Sequence, residues 1–221
     1  LNADLVLAIQ EEEADCFRSL VPERKVVTVG VDYEIAEKSP DDGGQGNTVM
    51  VVGTNYPANV AGLKGFCEHA WPIVRRENPL AELLVAGKIR EAIDVEIPHV
   101  KVLGWVDDLQ ALYRLSSVVI NPTMTGVGLK IKTVEALCNG KALVATPNAV
   151  EGLPFRGDPP CMVCGNWPEY AAGVVSLLGS EERRRSLQEA ALRFARKHFA
   201  AEQVYAPLKE VLRDAATRGD A

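Results

Sequence analysis

Two glycines and two lysines stand close together in the segment that follows an apolar run at residues 117–120. Gly126 and Gly128 remove side chains where the chain turns into a predicted helix, which exposes the first backbone N–H groups of that helix. Such N–H groups bind anions, and phosphate in particular. Lys130 and Lys132 fall in the first predicted turn, where the helix dipole disfavours a cation by about 0.3–1 kcal/mol. A bound phosphate reverses the sign of that effect, so the sequence predicts a phosphate or diphosphate site here.

A carboxylate follows one helical turn later. Glu135 comes three residues after Lys132 and borders an apolar stripe that we predict from Ile131, Val134 and Cys138. A carboxylate in this position can accept two hydrogen bonds from the vicinal hydroxyls of a ribose. The alternative is a surface glutamate paired with Lys132.

A second loop also combines a strand end, a glycine and a helix start. Gly53 follows the apolar run at residues 49–52 and is followed by Thr54 and Asn55. Glycine lets a ligand approach the backbone, and the next helix offers unpaired N–H groups to an anion. The alternative is an ordinary strand-to-helix turn capped by an asparagine.

Short apolar runs alternate with amphipathic helices along most of the chain. Because this alternation forms a parallel sheet with helices on both faces, we predict an α/β fold with a doubly wound, Rossmann-like sheet. Ligands bind such sheets beyond the carboxyl ends of the strands, which selects the loops after Val52, Leu103, Ile120 and Thr146. The predicted strands are 5–9, 25–29, 49–52, 83–86, 100–103, 117–120, 142–145 and 162–163. The predicted helices are 11–20, 58–71 (bent at Pro72 and restarted over 73–78), 109–115, 130–139, 167–178, 181–199 and 202–216.

The bulk composition excludes several classes of protein. A net charge of −6 argues against a broad basic surface for nucleic acid. No apolar run approaches the roughly 18 residues of a transmembrane helix. Residues 1–4 lack an initiator Met and a signal-peptide pattern, so we expect the chain to start within a longer protein.

The cysteines predict neither disulfides nor a metal site. There are five, which is an odd and scattered set, so a reducing, cytoplasmic environment is expected. Cys161 and Cys164 have the spacing of half a zinc site, but no second pair accompanies them. Their apolar surroundings predict buried core residues instead.

The glycine pair must also be compared with a dinucleotide-binding fingerprint. Gly126 and Gly128 follow a strand and open a helix, but Ile131 stands where that fingerprint has its third glycine. We expect a bulky residue there to prevent close packing of helix on strand. Lysines in the first turn are also foreign to the fingerprint, so an oxidoreductase is disfavoured.

Residues 128–146, followed by Glu151-Gly-Leu153, resemble the donor domain of retaining glycosyltransferases with the GT-B fold, which has two Rossmann-like domains. The resemblance covers most of residues 48–199, including 52–53, 59–62, 103–107 and the helix at 181–199. It implies four parts: 1–33 as the tail of an N-terminal acceptor domain, 34–47 as an interdomain linker, 48–199 as the nucleotide-sugar donor domain, and 200–221 as a C-terminal helix.

The resemblance also implies roles for the residues of the lysine-rich segment. Glu135 is expected to hold the ribose of the donor, and Lys132 to neutralise its diphosphate, and these two are the predicted catalytic residues. The turn before the helix is expected to bind the phosphates or the sugar. Its predicted donor-binding residues are Gly126, Gly128, Leu129 and Lys130.

Two further loops take donor-binding roles from the same resemblance. Trp105 and Val106 are expected to border the nucleobase. Gly53, Thr54 and Asn55 are expected to face the cleft between the domains, within reach of the distal phosphate or the sugar. The chain departs from many relatives at Thr54, where they carry an Arg, and at Val127, where they carry a second Glu.

The function implied is transfer of a sugar from a UDP- or GDP-sugar, without metal or cofactor, to an unknown acceptor. A glycan or lipid-linked acceptor would bind the other domain, which implies a place in polysaccharide biosynthesis and peripheral membrane association of the full-length protein. This chain alone is expected to bind the donor without transferring the sugar. The alternatives are a sugar-nucleotide epimerase on the same fold and a non-catalytic nucleotide-binding module.

Overall fold

A computed structural model describes residues 3–38, 46–92, 96–155 and 157–219. Six parallel strands form the main sheet, in the order β5-β4-β3-β6-β7-β8. The order reverses between β3 and β6, which confirms the predicted doubly wound α/β fold. The strands are β3 (Thr48–Val52), β4 (Glu82–Ala86), β5 (Val100–Gly104), β6 (Val118–Asn121), β7 (Leu143–Ala145) and β8 (Met162–Val163).

The strands are recognisable in the sequence because both faces of this sheet are buried. Alternate side chains of β3 enter different cores: Val49 and Val51 pack on one side of the sheet and Met50 on the other. Helices cover both sides. They are α2 (Pro57–Gly65), α3 (Trp71–Glu77), α4 (Leu109–Leu115), α5 (Ile131–Cys138), α6 (Trp167–Leu178) and α7 (Glu181–His198), where α2, α3 and α6 line the first core and α4, α5 and α7 the second.

The predicted bend near Pro72 is present and takes the form of a π-helical turn. This turn covers Phe66–Ala70 and joins α2 to α3. Pro72 lies in the first turn of α3, and the Trp71 N–H bonds the carbonyl of Phe66, five residues earlier. A proline lacks an N–H and clashes with the carbonyl four residues before it, so a wider turn relieves the clash.

A small unit precedes the main sheet, with β1 (Leu5–Ala8) and β2 (Lys25–Thr28) parallel and α1 (Glu11–Leu20) between them. After α7, the helices α8 (Ala201–Val204) and α9 (Ala206–Gly219) lead back to this unit, and α9 packs on β2. The predicted linker was 34–47. Its residues 39–45 lie outside the described residues, and Ile35 packs on the core that α5 lines.

No helix within the described ranges is long and apolar enough to cross a membrane.

Candidate functional site

The candidate site lies where β3 and β6 end side by side. These two strands are hydrogen-bonded neighbours, with Met50 paired to Val119. Because the chain leaves them toward opposite sides of the sheet, their loops open a crevice between them. The loop after β3 leads into α2 and the loop after β6 leads into α5. Both loops were predicted to bind the ligand.

Helix α2 approaches the loop after β6 very closely. A Cβ atom added at Gly62 would lie 2.3 Å from the carbonyl oxygen of Pro122 and 3.1 Å from the Cα of Thr123. Only glycine leaves room for this approach. It brings the first turn of α2, with Asn59, against the loop that precedes α5.

The amine of Lys132 joins the two loops. Its Nζ donates to the Thr123 hydroxyl at 2.8 Å and to the side-chain oxygen of Asn59. The amide nitrogen of Asn59 in turn donates to the hydroxyl of Thr54 at 3.0 Å. An ammonium has three N–H groups, so these contacts leave one for a ligand in the crevice. The predicted residues Thr54 and Lys132 therefore share one network.

A buried chain of hydrogen bonds orients Thr123. The Thr123 hydroxyl donates to the side-chain oxygen of Asn121 at 2.8 Å, and the Asn121 amide donates to the Thr133 hydroxyl at 2.8 Å. Thr133 then donates to the carbonyl of Ala149 at 2.7 Å. A hydroxyl has a single hydrogen, so the lone pairs of Thr123 are directed at Lys132.

The charge on Lys132 is left uncompensated. Within the described ranges, no carboxylate lies within ion-pair distance of its amine. Burial, and then the nearby positive charge of Lys130, lower the pKa of Lys132 to about 8. A partly buried ammonium without a counter-ion is unfavourable, and an anion bound in the crevice would offset that cost.

Lys130 is placed differently from Lys132. It is the N-cap of α5, and its Nζ donates to the carbonyl of Gly128 at 2.7 Å. The same amine lies 3.9 Å from the Glu151 carboxylate, and the side chain is only 10% exposed. Gly126 and Gly128 have φ angles of 117° and 76°, which favour glycine. The Lys130 amine thus bonds the backbone of the glycine turn, and its contact with the donor stays a prediction.

Glu135 lies between two tyrosines. Burial raises the pKa of its carboxyl, and the nearby hydroxyls of Tyr33 and Tyr113 oppose this rise. Tyr113 is 1% exposed in the core, whereas Tyr33 comes from the segment that follows β2. The predicted alternative, a surface pair of Glu135 with Lys132, is not what the structure shows, because the Lys132 amine contacts Asn59 and Thr123.

The other predicted donor-binding residues lie further from the Lys132 network. Trp105 follows β5, two strands away from β3, and the residue is 76% exposed. Val106 beside it packs partly on the core. The Asn55 amide donates to the Glu91 carboxylate at 3.3 Å. Leu129 lies beside the Gly152 backbone, and Gly53 is buried.

Sequence reasoning missed Asn59, Thr123 and the two tyrosines as functional candidates. A signal for Thr123 was present, because Asn121 and Thr123 are polar residues that end an otherwise apolar strand, and both are buried. No local signal marks Tyr33, whose partner lies about a hundred residues later in the chain.

One prediction about α5 was wrong. Ile131 was assigned to the buried stripe with Val134 and Cys138, but Ile131 is 45% exposed, whereas the other two are buried. The helix begins at Ile131, so this first residue lies at the open end of the helix. The steric objection to a dinucleotide fingerprint therefore fails, although the lysines remain foreign to it.

The prediction that Cys161 and Cys164 are core residues is confirmed. They flank β8 and are 4% and 6% exposed. Burial raises the pKa of the Cys161 thiol to about 12, so this side chain is an unreactive thiol. No group of three metal-binding side chains occurs in the part of the chain that the structure describes.

A doubly wound sheet with a partly buried lysine at its switch point is an arrangement typical of nucleotide- and phosphate-binding proteins. The sequence profile of the glycosyl transferases group 1 matches residues 46–214. The chain belongs to this family, which confirms the resemblance to glycosyltransferases described above.

Individual proteins are also similar to this chain. An uncharacterised 44.6 kDa protein in the cps region of Klebsiella pneumoniae is 23% identical over 174 residues, which cover 72% of this chain and 44% of that protein. S. aureus TarM, solved with fondaparinux, alpha-GlcNAc-glycerol and UDP, has a TM-score of 0.74 at 13% identity, over 94% of this chain and 43% of TarM. Anabaena HepE, solved with UDP and glucose, has a TM-score of 0.72 at 18% identity, over 96% of this chain and 64% of HepE. The structural similarities establish the fold, and the chain spans less than half the length of the first two proteins.

Proposed function

We propose that this chain is the donor-binding part of a glycosyltransferase that takes a sugar from a nucleotide-diphosphate donor. The observation that carries the proposal is the Lys132 amine, which lacks a counter-ion among the described residues and is fixed by Asn59 and Thr123 at the switch point. A diphosphate supplies the missing negative charge, and the first N–H groups of α5 add donors to it.

The same groups favour departure of the diphosphate. Negative charge develops on its oxygens as the bond to the sugar breaks. The Lys132 amine, already held in place by Thr123, stabilises that charge without reorganisation. Lys132 thereby takes the place of a divalent cation, so we propose metal-independent transfer with no cofactor. Retention of the anomeric configuration is proposed from the family resemblance. Acceptor activation is assigned to the rest of the protein.

UDP-sugars are the first donors to test, with GDP-sugars second. TarM and HepE were both solved with UDP, and we extend that chemistry to this chain as a proposal. The relative in the cps region of Klebsiella pneumoniae supports a role in polysaccharide biosynthesis with a glycan or lipid-linked acceptor. For a lipid-linked acceptor, we propose peripheral membrane association of the full-length protein.

The direct test is calorimetric titration of the chain with UDP, GDP and ADP and with the corresponding monophosphates. We expect one nucleoside diphosphate to bind at least about tenfold more tightly than the corresponding monophosphate, a difference of about 1.4 kcal/mol. The reason is that Lys132 and the start of α5 contact the second phosphate. Equal binding of mono- and diphosphate contradicts the proposed phosphate contact. Binding without transfer by a protein that carries both domains would favour the non-catalytic module, and a change of configuration in the nucleotide-sugar would favour the epimerase.

Diphosphate binding is expected to weaken as the pH rises through about 8. The protonated Lys132 amine binds the anion, and its pKa of about 8 means that the free protein loses this charge above that pH. Because phosphate groups are fully ionised well above pH 6, the ligand does not change over this window. We expect affinity to fall about tenfold or more between pH 7.5 and 9.5, with proton uptake on binding.

Calorimetry in buffers of different ionisation enthalpy measures that uptake. The matched control is Lys132→Arg, whose guanidinium stays charged throughout this range and removes the pH dependence. A wild-type affinity that is constant from pH 7.5 to 9.5 would contradict the role given to Lys132.

A further inference from the structure

We infer that Asn148 is a positioning residue for the second phosphate of the donor, acting through the backbone of the glycine turn (residues 126–130). The inference rests on the proposed function, because it concerns how the diphosphate is held. Asn148 follows β7, in the 3₁₀ turn Asn148–Val150. The sequence predicts that the loop after Thr146 borders a ligand, and the structure places Asn148 of that loop against the glycine turn.

The side-chain amide of Asn148 bridges the glycine turn and a carboxylate. Its Nδ2 donates to the carbonyl of Gly126 at 2.8 Å and to the carboxylate of Glu151 at 2.8 Å. Both partners only accept hydrogen bonds, so the nitrogen of the amide faces them and the oxygen does not. Lys130 acts at the other end of the turn, where its Nζ donates to the Gly128 carbonyl at 2.7 Å. Two carbonyls of the turn are therefore held by side-chain donors.

The backbone that carries Asn148 is fixed by its neighbours. The Thr146 hydroxyl accepts from the Ala149 N–H at 3.1 Å and donates to the carbonyl of Thr123. The Ala149 carbonyl accepts from the Thr133 hydroxyl of α5 at 2.7 Å, and Ala149 is buried. The 3₁₀ turn is thus bonded both to the loop after β6 and to α5. The Asn148 amide therefore holds Gly126 from a fixed position.

The strand order gives the bond between Asn148 and Gly126 a consequence for a ligand. β6 lies between β3 and β7 in the sheet, so a bond to the loop after β7 draws the Gly126 carbonyl away from β3. In a trans peptide, the carbonyl of one residue and the N–H of the next point in opposite directions. The Val127 N–H is therefore directed to the side of β3, where Asn59 and Thr123 hold the Lys132 amine.

The glycine turn has unused donors for an anion. Among the described residues, none accepts a hydrogen bond from the backbone N–H groups of residues 126–132. Val127 is 94% exposed, so a ligand can reach this backbone. Carbonyl oxygens repel a phosphate, and the bonds from Asn148 and Lys130 hold two of them aside. Unpaired N–H groups beside an uncompensated lysine suit a phosphate, and Asn148 fixes the direction of one of these donors.

The Asn148 amide contributes little to stability for a group with two hydrogen bonds. Its Oδ1 is buried and has no hydrogen-bond partner in the part of the chain that the structure describes. A buried acceptor without a partner is unfavourable. Asn148→Leu keeps the shape of the side chain and removes this acceptor together with the two donors. These effects offset one another, so we expect a melting temperature close to that of the wild type.

The experiment titrates UDP, GDP, ADP and their monophosphates into the wild type and into Asn148→Leu. For the diphosphate that binds, we expect Asn148→Leu to weaken binding about five- to tenfold. Binding of the monophosphate, which lacks the second phosphate, should change less than about twofold. In NMR spectra, the amide proton of Val127 should shift when the diphosphate is added to the wild type, and shift much less in the saturated variant.

Asn166→Leu is the matched control. The Asn166 amide also donates to a glutamate three residues later, Glu169, at 2.7 Å. Its oxygen accepts from the Glu169 N–H at 2.9 Å as the N-cap of α6, and no bond joins it to the glycine turn among the described residues. Asn166→Leu should lower the melting temperature through loss of the cap and leave both affinities unchanged. Asn148→Leu is expected to do the reverse.

Three results overturn the inference and leave the proposed function in place. Equal losses for the diphosphate and the monophosphate in Asn148→Leu show a general structural effect. A diphosphate affinity within about twofold of the wild type shows that the turn does not depend on Asn148. A Val127 amide proton that does not respond in the wild type shows that this donor does not contact the ligand. A wild type that binds none of the three diphosphates removes the proposed function itself, and the inference with it.

Discussion

Lys132→Met is expected to weaken diphosphate binding about 100-fold and, at the same time, to raise the melting temperature of the ligand-free protein. The loss of affinity follows from removing a charge-assisted contact to the diphosphate, which contributes about 1.5–3 kcal/mol. Titration calorimetry measures the affinity, and thermal unfolding at pH 7 without nucleotide measures the stability.

The gain in stability follows from the sign of the Lys132 pKa shift. The folded protein lowers this pKa from 10.5 to about 8, so at pH 7 the unfolded chain holds the proton more tightly. The charged lysine therefore destabilises the fold at neutral pH, and wild-type stability should rise between pH 8 and 10.5. Loss of the bonds to Asn59 and Thr123 offsets part of the gain. For Lys132→Met we expect a net increase of about 1 kcal/mol in the free energy of unfolding, which corresponds to about 2–4 °C in the melting temperature.

Lys64→Met is the control for Lys132→Met. Lys64 is an exposed lysine on α2, the same helix that carries Asn59, and it lies outside the network of Lys132. This substitution should change neither the nucleotide affinity nor the melting temperature appreciably. If Lys132→Met binds the diphosphate within about twofold of the wild type, the amine does not contact the ligand and the proposed function loses its main support.

The fold could be predicted because the sheet is buried on both faces. Its strands are short apolar runs, such as residues 118–120 of β6, and helices such as α5 have distinct polar and apolar faces. The π-helical turn at Phe66–Ala70 could not be predicted in detail. A proline within a helical pattern predicts an interruption, but the surrounding packing decides which form it takes.

The different roles of the two lysines follow from geometry that the sequence only partly contains. Residues two apart on a helix point in nearly opposite directions, so Lys130 and Lys132 were never equivalent. What the sequence does not show is that Lys130 precedes the helix, with φ −88° and ψ 97°, and turns back toward the glycine loop. The position of that helix start depends on the path of the whole loop.

The residues that fix the site were missed because their partners are distant in sequence. Lys132 and Asn59 are 73 residues apart, and only the order of β3 and β6 in the sheet brings them together. Tyr33 and Glu135 are further apart still, and only the packing of the segment after β2 on the core of α5 brings Tyr33 near this carboxyl. A pattern within one segment predicts the charged groups of a site, whereas the neutral groups that orient them depend on tertiary structure.

Gly62→Ala tests the close approach on which the Lys132 network depends, and we expect it to lower both stability and affinity. The added Cβ would lie 2.3 Å from the carbonyl oxygen of Pro122, which is backbone and cannot rotate away. Alanine gains about 1 kcal/mol in helix propensity over glycine, yet the displacement of α2 or of the loop outweighs this gain. We expect a net loss of about 1–3 kcal/mol in the free energy of unfolding, measured by denaturant titration.

Gly65→Ala provides the comparison, because it makes the same chemical change three residues later in the same helix. Its Cβ would meet the ring of Trp167 at 2.6 Å, and that partly exposed side chain can move. Both variants gain the same helix propensity, so the difference between them isolates the backbone contact at Gly62.

Diphosphate affinity should fall about tenfold in Gly62→Ala alone. A displacement near 1 Å separates Asn59 from Thr123, so the Lys132 amine between them is no longer held in one position. If Gly62→Ala is as stable as Gly65→Ala and binds equally well, the two loops do not depend on this contact, and the rigidity assigned to Lys132 must come from the buried hydrogen bonds of Thr123 instead.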